Sequence, residues 1–485
     1  MKRYYATIVM ALIVGKAALA GDPPAMTGSP ALTRSPPVTT GSPALTRSPP
    51  ALTGSPALTR SAPLDLWHRD TLTGDWGGLR TTLADKGITF TASYIGEVFT
   101  NVQGGAKRGT TYDGLFLPQI AVDLEKLVGW QGATFQVSAL EAHGQSLATR
   151  YVENLTGIST IAAVPPSTRL YNFWLDQKLL HDALSIRAGL ITVDEDFFYS
   201  TVAGIFMNPG WLGLGLPGGG PAYPLPTPGI RVKVNSGIES GYVQAAVFSG
   251  DPTGKDGSTS PTIGIPSGTV ISFSGGAFFI TEAGYTFHHD KDDPRLPTTV
   301  KVGAWYHTSK HFEDQRYATN GLSLADPAST GDPYEHDGNW ALYASLEGSL
   351  YRSGGGGELS GFARIGGSPG DRNVIPFYAE AGLAYKGLIP GRENDNLGVS
   401  IDYARISNRA SRLDQDTRFF TGNPLFPIRN YEMALELTYQ AQVTPWLLVQ
   451  PDVQYIINPG GHVLNADGSV RRNALVFGLR SAITF

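Results

Sequence analysis

Apolar and polar side chains alternate with a period of two along most of this chain. Near the C-terminal end, Leu475, Phe477, Leu479, Ser481, Ile483 and Phe485 share one face, and Ala474, Val476, Gly478, Arg480, Ala482 and Thr484 share the other. That is a strand with one greasier side. From Glu432 onward, Glu432, Ala434, Glu436, Thr438, Gln440, Gln442 and Thr444 oppose Met433, Leu435, Leu437, Tyr439, Ala441, Val443 and Pro445. This run outlasts the roughly 9–11 residues that a tilted strand needs to cross lipid. Next, Leu447, Val449, Val453, Tyr455 and Ile457 oppose Gln450, Asp452 and Gln454, while Pro451 falls on the greasy side. A proline there removes a ladder donor and predicts a bulge or strained spot. The same alternation sets Leu397, Val399, Ile401 and Tyr403 against Ser400 and Asp402. It sets Ile230, Val232 and Val234 against Arg231 and Lys233, and Leu184, Ile186 and Leu190 against Ser185 and Arg187. Loops rich in Gly, Pro, Asp and Asn separate these runs.

The polar faces hold glutamates, arginines and glutamines, which rarely bury unpaired. A soluble sandwich would have to bury one face dry. A closed barrel with a wet lumen inside and lipid outside suits both faces and leaves no open edge. The roughly 400 residues from Ile88 onward, at about 25 per strand and connection, make about 16 strands, a number typical of aqueous pores. The predicted fold is all-β, a transmembrane antiparallel β-barrel of about 16 strands with a short N-terminal periplasmic helix. Trp130, Trp174, Trp211, Trp305, Trp340 and Trp446 lie near strands or strand ends, where an interfacial belt would place them.

The N-terminal residues address the chain to that location. Lys2 and Arg3 precede a short apolar stretch, and Ala18-Leu19-Ala20 has the form of a signal-peptide cleavage site. Residues 1–20 read as a signal peptide. Gly28 to Arg34 (GSPALTR) recurs at Gly41 to Arg47 and Gly54 to Arg60. Proline at this density keeps residues 21–63 extended, as a spacer without chemistry of its own. Residues 64–87 read as a lead-in in which Leu79 and Leu83 share a helix face and Gly87 ends the helix. The barrel then occupies residues 88–485.

Composition narrows the function classes. With no cysteine, thiol catalysis and cysteine metal sites are excluded. A net charge of −5 supplies no basic field for nucleic acid. No nucleophile elbow, zinc motif or dinucleotide fingerprint occurs, so no enzyme activity and no cofactor or metal is expected. Asp194-Glu195-Asp196 reads as a solvated surface or inward-loop lining rather than a calcium site. His288-His289-Asp290 reads as a solvated strand end, because adjacent strand residues point to opposite faces. Gly354 to Gly357 reads as a flexible turn.

Two blocks resemble a known family. Gly74-Asp75-Trp76-Gly77-Gly78-Leu79-Arg80 is similar to the glycine-tryptophan lead-in of the carbohydrate-selective porins of the OprB family. Tyr439, Thr444-Pro445-Trp446 and the run from Gln450 to Gly461 resemble that family's closing strands. Phe485 matches the assembly signal common to outer-membrane barrels, which implies the outer-membrane assembly machinery as a partner. The resemblance implies about 16 strands in the cell outer membrane, surrounded by lipid and lipopolysaccharide. It also implies inward loops that narrow the channel, and passive diffusion of small sugars such as glucose. The alternative is a structural or adhesive barrel that conducts no sugar. Homotrimer and monomer both remain open.

A sugar offers hydroxyls that donate and accept, together with flat C–H patches. A selective pore therefore wants charged and amide side chains beside aromatic faces. Arg187, Arg231, Lys233, Glu432, Glu436 and Arg480 lie on polar strand faces and form the expected pore-lining and sugar-contact set. Arg169, Trp174, Asp176 and Gln177 join it where the register is less definite.

Overall fold

The computed structural model describes residues 65–162, 166–210, 221–236, 240–252, 267–269, 271–288, 295–354 and 356–485. The expected signal peptide and repeat spacer lie outside these residues, as do Trp211, His289 and Asp290. Among the described residues, eighteen strands follow in chain order. They are β1 (Ile88–Gly105), β2 (Gly109–Asp123), β3 (Ala133–Gly144), β4 (Ser167–Leu179), β5 (Leu184–Ile191), β6 (Thr227–Asn235), β7 (Gly241–Ser249), β8 (Ala277–Phe287) and β9 (Thr298–His307). Then come β10 (Phe312–Ala318), β11 (Pro333–His336), β12 (Asn339–Arg352), β13 (Glu358–Gly367), β14 (Phe377–Lys386), β15 (Asn396–Arg405), β16 (Tyr431–Thr444), β17 (Leu447–Ile457) and β18 (Arg472–Thr484). All but β10 and β11 form one closed antiparallel barrel, sealed where β1 pairs with β18, and β10 and β11 make a separate two-stranded sheet. The barrel therefore has the 16 strands that the sequence predicts.

Alternation sorts the wall as expected. Val98, Ile230, Val232, Val302, Leu342, Val399, Ile401, Leu435, Leu437, Phe477 and Leu479 are exposed on the outside, where only a closed sheet satisfies its backbone in lipid. Trp340 faces Tyr306 across β9 and β12, both exposed. The tryptophan belt is only partial, because Trp174 and Trp305 are buried inside the barrel.

The lumen is less wet than alternation alone suggests. The β3–β4 and β5–β6 connections fold back into the barrel and cover part of its inner face. Phe99, Val152, Ile158, Met207, Ile456 and Val476 form one dry cluster, and Ile95, Leu115, Leu140, Ile161, Tyr171 and Tyr223 form another. Inner positions such as Ile95, Phe99, Leu115, Leu140, Ile456 and Val476 on β1, β2, β3, β17 and β18 are apolar because they pack on these segments.

Helix α1 (Leu79–Asp85) ends before Gly87, whose φ is 87°. The lead-in grips the barrel seam. Leu72 N–H donates to Thr484 O at 2.8 Å, Arg80 Nη2 to Phe485 O at 2.7 Å, and Trp446 Nε1 to Leu66 O at 2.7 Å. Trp76 packs on Phe90, with the Arg80 guanidinium over its ring. At Pro451 the register is unbroken, but pairing skips Tyr439 and Gln440; the one shift between β16 and β17 falls between Gln442 and Thr444. The irregularity that proline predicts is thus a gap in the ladder, and the bulge lies nearer the turn.

At the opposite end from the lead-in, helix α3 (Asn408–Thr421) packs beside β10; α2 (Leu124–Val128) closes the β2–β3 turn. Ser407 Oγ accepts from Ala410 N–H and caps α3. Asp314 receives Arg409, His336 and the backbone N–H groups of Arg316 and Tyr317.

Candidate functional site: a lumen narrowed by two inward segments

An irregular segment inside a barrel carries backbone N–H and C=O groups that no ladder satisfies. The inner wall supplies their partners. Glu432 accepts from Leu155 N–H at 2.8 Å, Thr156 N–H at 2.7 Å, Thr156 Oγ1 at 3.0 Å and Gly460 N–H at 2.7 Å. Glu436 accepts from Met207 N–H at 2.7 Å and Asn208 N–H at 3.0 Å. Gln454 donates to Ile158 O, and Gln440 and Gln450 both donate to Ile205 O. Glu432 and Glu436 are buried between wall and segment.

The predicted arginines occupy two further latches. Arg480 pairs with Glu97 directly across the β1–β18 seam, and its Nη2 donates to Thr160 Oγ1 at 2.8 Å. Ser159 Oγ donates to the other Glu97 oxygen. On the far wall, Asp176 takes Ser185 Oγ at 2.7 Å on one oxygen and Arg187 Nε at 3.0 Å and Arg231 Nη2 at 2.9 Å on the other. Both arginines also reach Asp196, at 3.2 and 3.3 Å. Asp194-Glu195-Asp196 is therefore inward-loop lining: Glu195 holds Asn172, and Asp194 accepts from Tyr223 N–H.

Of the remaining predicted residues, Trp174 is buried with the Arg187 guanidinium 4.1 Å above its ring. Lys233 is half-buried over Tyr242 at 4.4 Å. Arg169 is buried and donates to Pro224 O at 3.3 Å. Gln177 bonds the carbonyls of Gln131 and Lys178 near a strand end, apart from the others. Phe485 sits edge-on to Phe116.

Sequence reasoning missed three further wall groups, Glu282, Glu347 and Lys301. Glu282 accepts from Phe198 N–H, Tyr242 OH, Tyr343 OH and Gln244. Glu347 accepts from Ser200 Oγ and Val202 N–H, and Lys301 donates to Tyr199 O at 2.6 Å. The signal was present: a single charge at an inner position of an otherwise apolar run, as in Val300-Lys301-Val302.

The chain is similar to known proteins over most of its length. The profile described as carbohydrate-selective porin, OprB family, matches residues 107–485. Porin B of Pseudomonas aeruginosa is 27% identical over 434 residues, covering 85% of this chain and 91% of that protein. The putative porin QuiX of Acinetobacter baylyi is 24% identical over 434 residues, covering 82% and 91%. The OprB structure of Pseudomonas putida at high pH superposes with a TM-score of 0.76 at 27% identity, covering 87% of this chain and 100% of that one.

Proposed function

Since the chain belongs to the carbohydrate-selective porins of the OprB family and sits in the outer membrane, we propose that it passes small neutral sugars such as glucose passively. In this reading the filter has two kinds of residue. Lys233, half-buried and stacked on Tyr242, meets the sugar together with the Trp174-stacked Arg187, which also belongs to the Asp176–Asp196 latch. Arg169, Trp174, Asp176, Arg231, Glu432, Glu436 and Arg480 hold the inward segments and so set the aperture. The observation that carries this reading is the engagement of backbone N–H groups on both inward segments by wall carboxylates, Glu432 for one and Glu436 for the other. A channel edge anchored in this way discriminates by shape. The cation–aromatic pairs offer weak hydroxyl and C–H contacts that release the solute again.

Swelling of liposomes containing the protein tests it. Glucose should enter faster than a trisaccharide, and by more than free diffusion through a plain hole of the same conductance would allow. Entry ranked by size alone would remove the selectivity. Absence of swelling would leave the structural or adhesive barrel.

A further inference from the structure

Lys233 stands apart from the other lumen cations. Among the described residues it makes no hydrogen bond and no ion pair. Its neighbours Val232 and Val234 are exposed on the outer wall, so alternation turns the lysine into the barrel. Strand β6 runs from Thr227 toward the lead-in end at Asn235. Arg231, one inward position above Lys233, belongs to the Asp176–Asp196 latch. Lys233 therefore lies just below that latch, on the periplasmic side of the narrowing.

A glycine seats the ring that carries it. Tyr242 of β7 is paired with Gly284 of β8, and a Cβ at Gly284 would stand 2.4 Å from the tyrosine ring. The ring thus lies flat along the wall. Its hydroxyl donates to Glu282 at 2.7 Å, and the Lys233 ammonium lies 4.4 Å from its centroid.

The surrounding groups are committed elsewhere. The charges nearest Lys233 are Asp196, Glu282, Arg231 and Lys301. Asp196 is held by Arg187 and Arg231. Glu282 accepts from Tyr242 OH, Tyr343 OH, Gln244 and Phe198 N–H. Lys301 gives its hydrogens to Tyr199 O and Glu347. Directly across the ladder, Ser185 Oγ donates to Asp176, and Gln244 Nε2 donates to Asp196 O as well as to Glu282. An ammonium carries three donors and accepts nothing. Half-buried against a ring, it has lost part of its hydration, and an anionic acceptor restores more of it than a neutral hydroxyl does.

We propose that Lys233 gives the channel a preference for sugar acids, polyhydroxy monocarboxylates such as gluconate, over neutral polyols of the same length. This rests on the passive sugar pathway proposed above and adds a charge preference to it. The solute carboxylate meets the ammonium after passing the inward segments. One contact at the exit side attracts the solute without trapping it.

Entry of labelled gluconate and labelled sorbitol into liposomes containing the full chain tests the preference. Low ionic strength limits screening, and potassium gluconate with valinomycin keeps charge balance from limiting entry. The wild type should admit gluconate about threefold faster than sorbitol, the gain from one unit charge met across a water layer. Lys233→Gln should bring the two rates to parity, Lys233→Arg should keep the preference, and Lys233→Glu should reverse it. Heat-dependent gel mobility checks folding of each variant. Wild-type rates at parity or favouring sorbitol, or an unaltered ratio in Lys233→Gln, would overturn the proposal. Glucose entry measured alongside would then leave the sugar pathway standing. Exclusion of all three solutes by the wild type would remove that pathway and this preference with it.

Discussion

Glu432 accepts from three backbone N–H groups and one hydroxyl, so a glutamine in its place turns an NH2 toward at least one donor. A buried donor left unpaired costs about 1–3 kcal/mol. Glu432→Gln should therefore loosen the β3–β4 segment without opening the barrel. Single-channel records should show a larger or noisier conductance, and sugar discrimination should fall; an unaltered trace would show that this carboxylate does not set the aperture. Arg231 tests the other latch. Arg231→Ala leaves Asp176 and Asp196 sharing Arg187 alone, and breaking a buried pair costs about 3–5 kcal/mol. The thermal transition should drop and ion preference should move toward cations. Arg231→Lys should recover only part of this, because an ammonium cannot bond Asp176, Asp196 and Ser185 together.

The strands and the loop sheet behave as separable elements. In the β10–β11 and α3 assembly, the Arg372 hydrogen bond holds the Asp371 carboxyl below the usual range. Burial pushes Asp416 up, but its bonds to Arg316 and Ser323 outweigh this and leave it lowered as well. A lowered folded-state pKa contributes stability that is present above the ordinary carboxylate value and lost as pH falls through the folded value. Hydrogen exchange over residues 312–336 and 408–421 should thus show protection that holds down to the ordinary aspartate value of about 3.9 and is lost only as pH falls below it. Asp416→Asn should flatten that dependence; protection already lost near neutral pH would contradict it. Alternation identified the outward faces of β6, β15, β16 and β18, because a period of two is a local property. The β10–β11 sheet and α3 left no comparable trace, since short loop elements owe their form to ion pairs between distant residues such as Arg316 and Asp416.

At the scale of the whole molecule, wall and inward segments are different kinds of structure. Each of the 16 barrel strands pairs with its neighbours without help from the inward segments. Replacing residues 148–162 with a short glycine linker should leave a closed barrel with heat-dependent gel mobility, a severalfold larger conductance and little sugar discrimination. The barrel should also melt lower, because Phe99, Ile456 and Val476 would lose their cover. A variant that no longer folds would make the segment part of the barrel's own stability.

The sequence by itself determined a closed antiparallel wall: its two faces, its approximate strand number and the lead-in helix. These follow from the period-two pattern, from the cost of bare backbone in lipid and from short-range turn chemistry. Only the tertiary structure decided what the inner charges do. Glu432 lies in β16 and Leu155 in the β3–β4 connection, and their bond exists because the barrel closes and the connection folds inward. A polar side chain on an inner strand face satisfies alternation equally well facing water, sugar or a neighbouring N–H, and the fold chooses among these by what it brings within hydrogen-bonding reach.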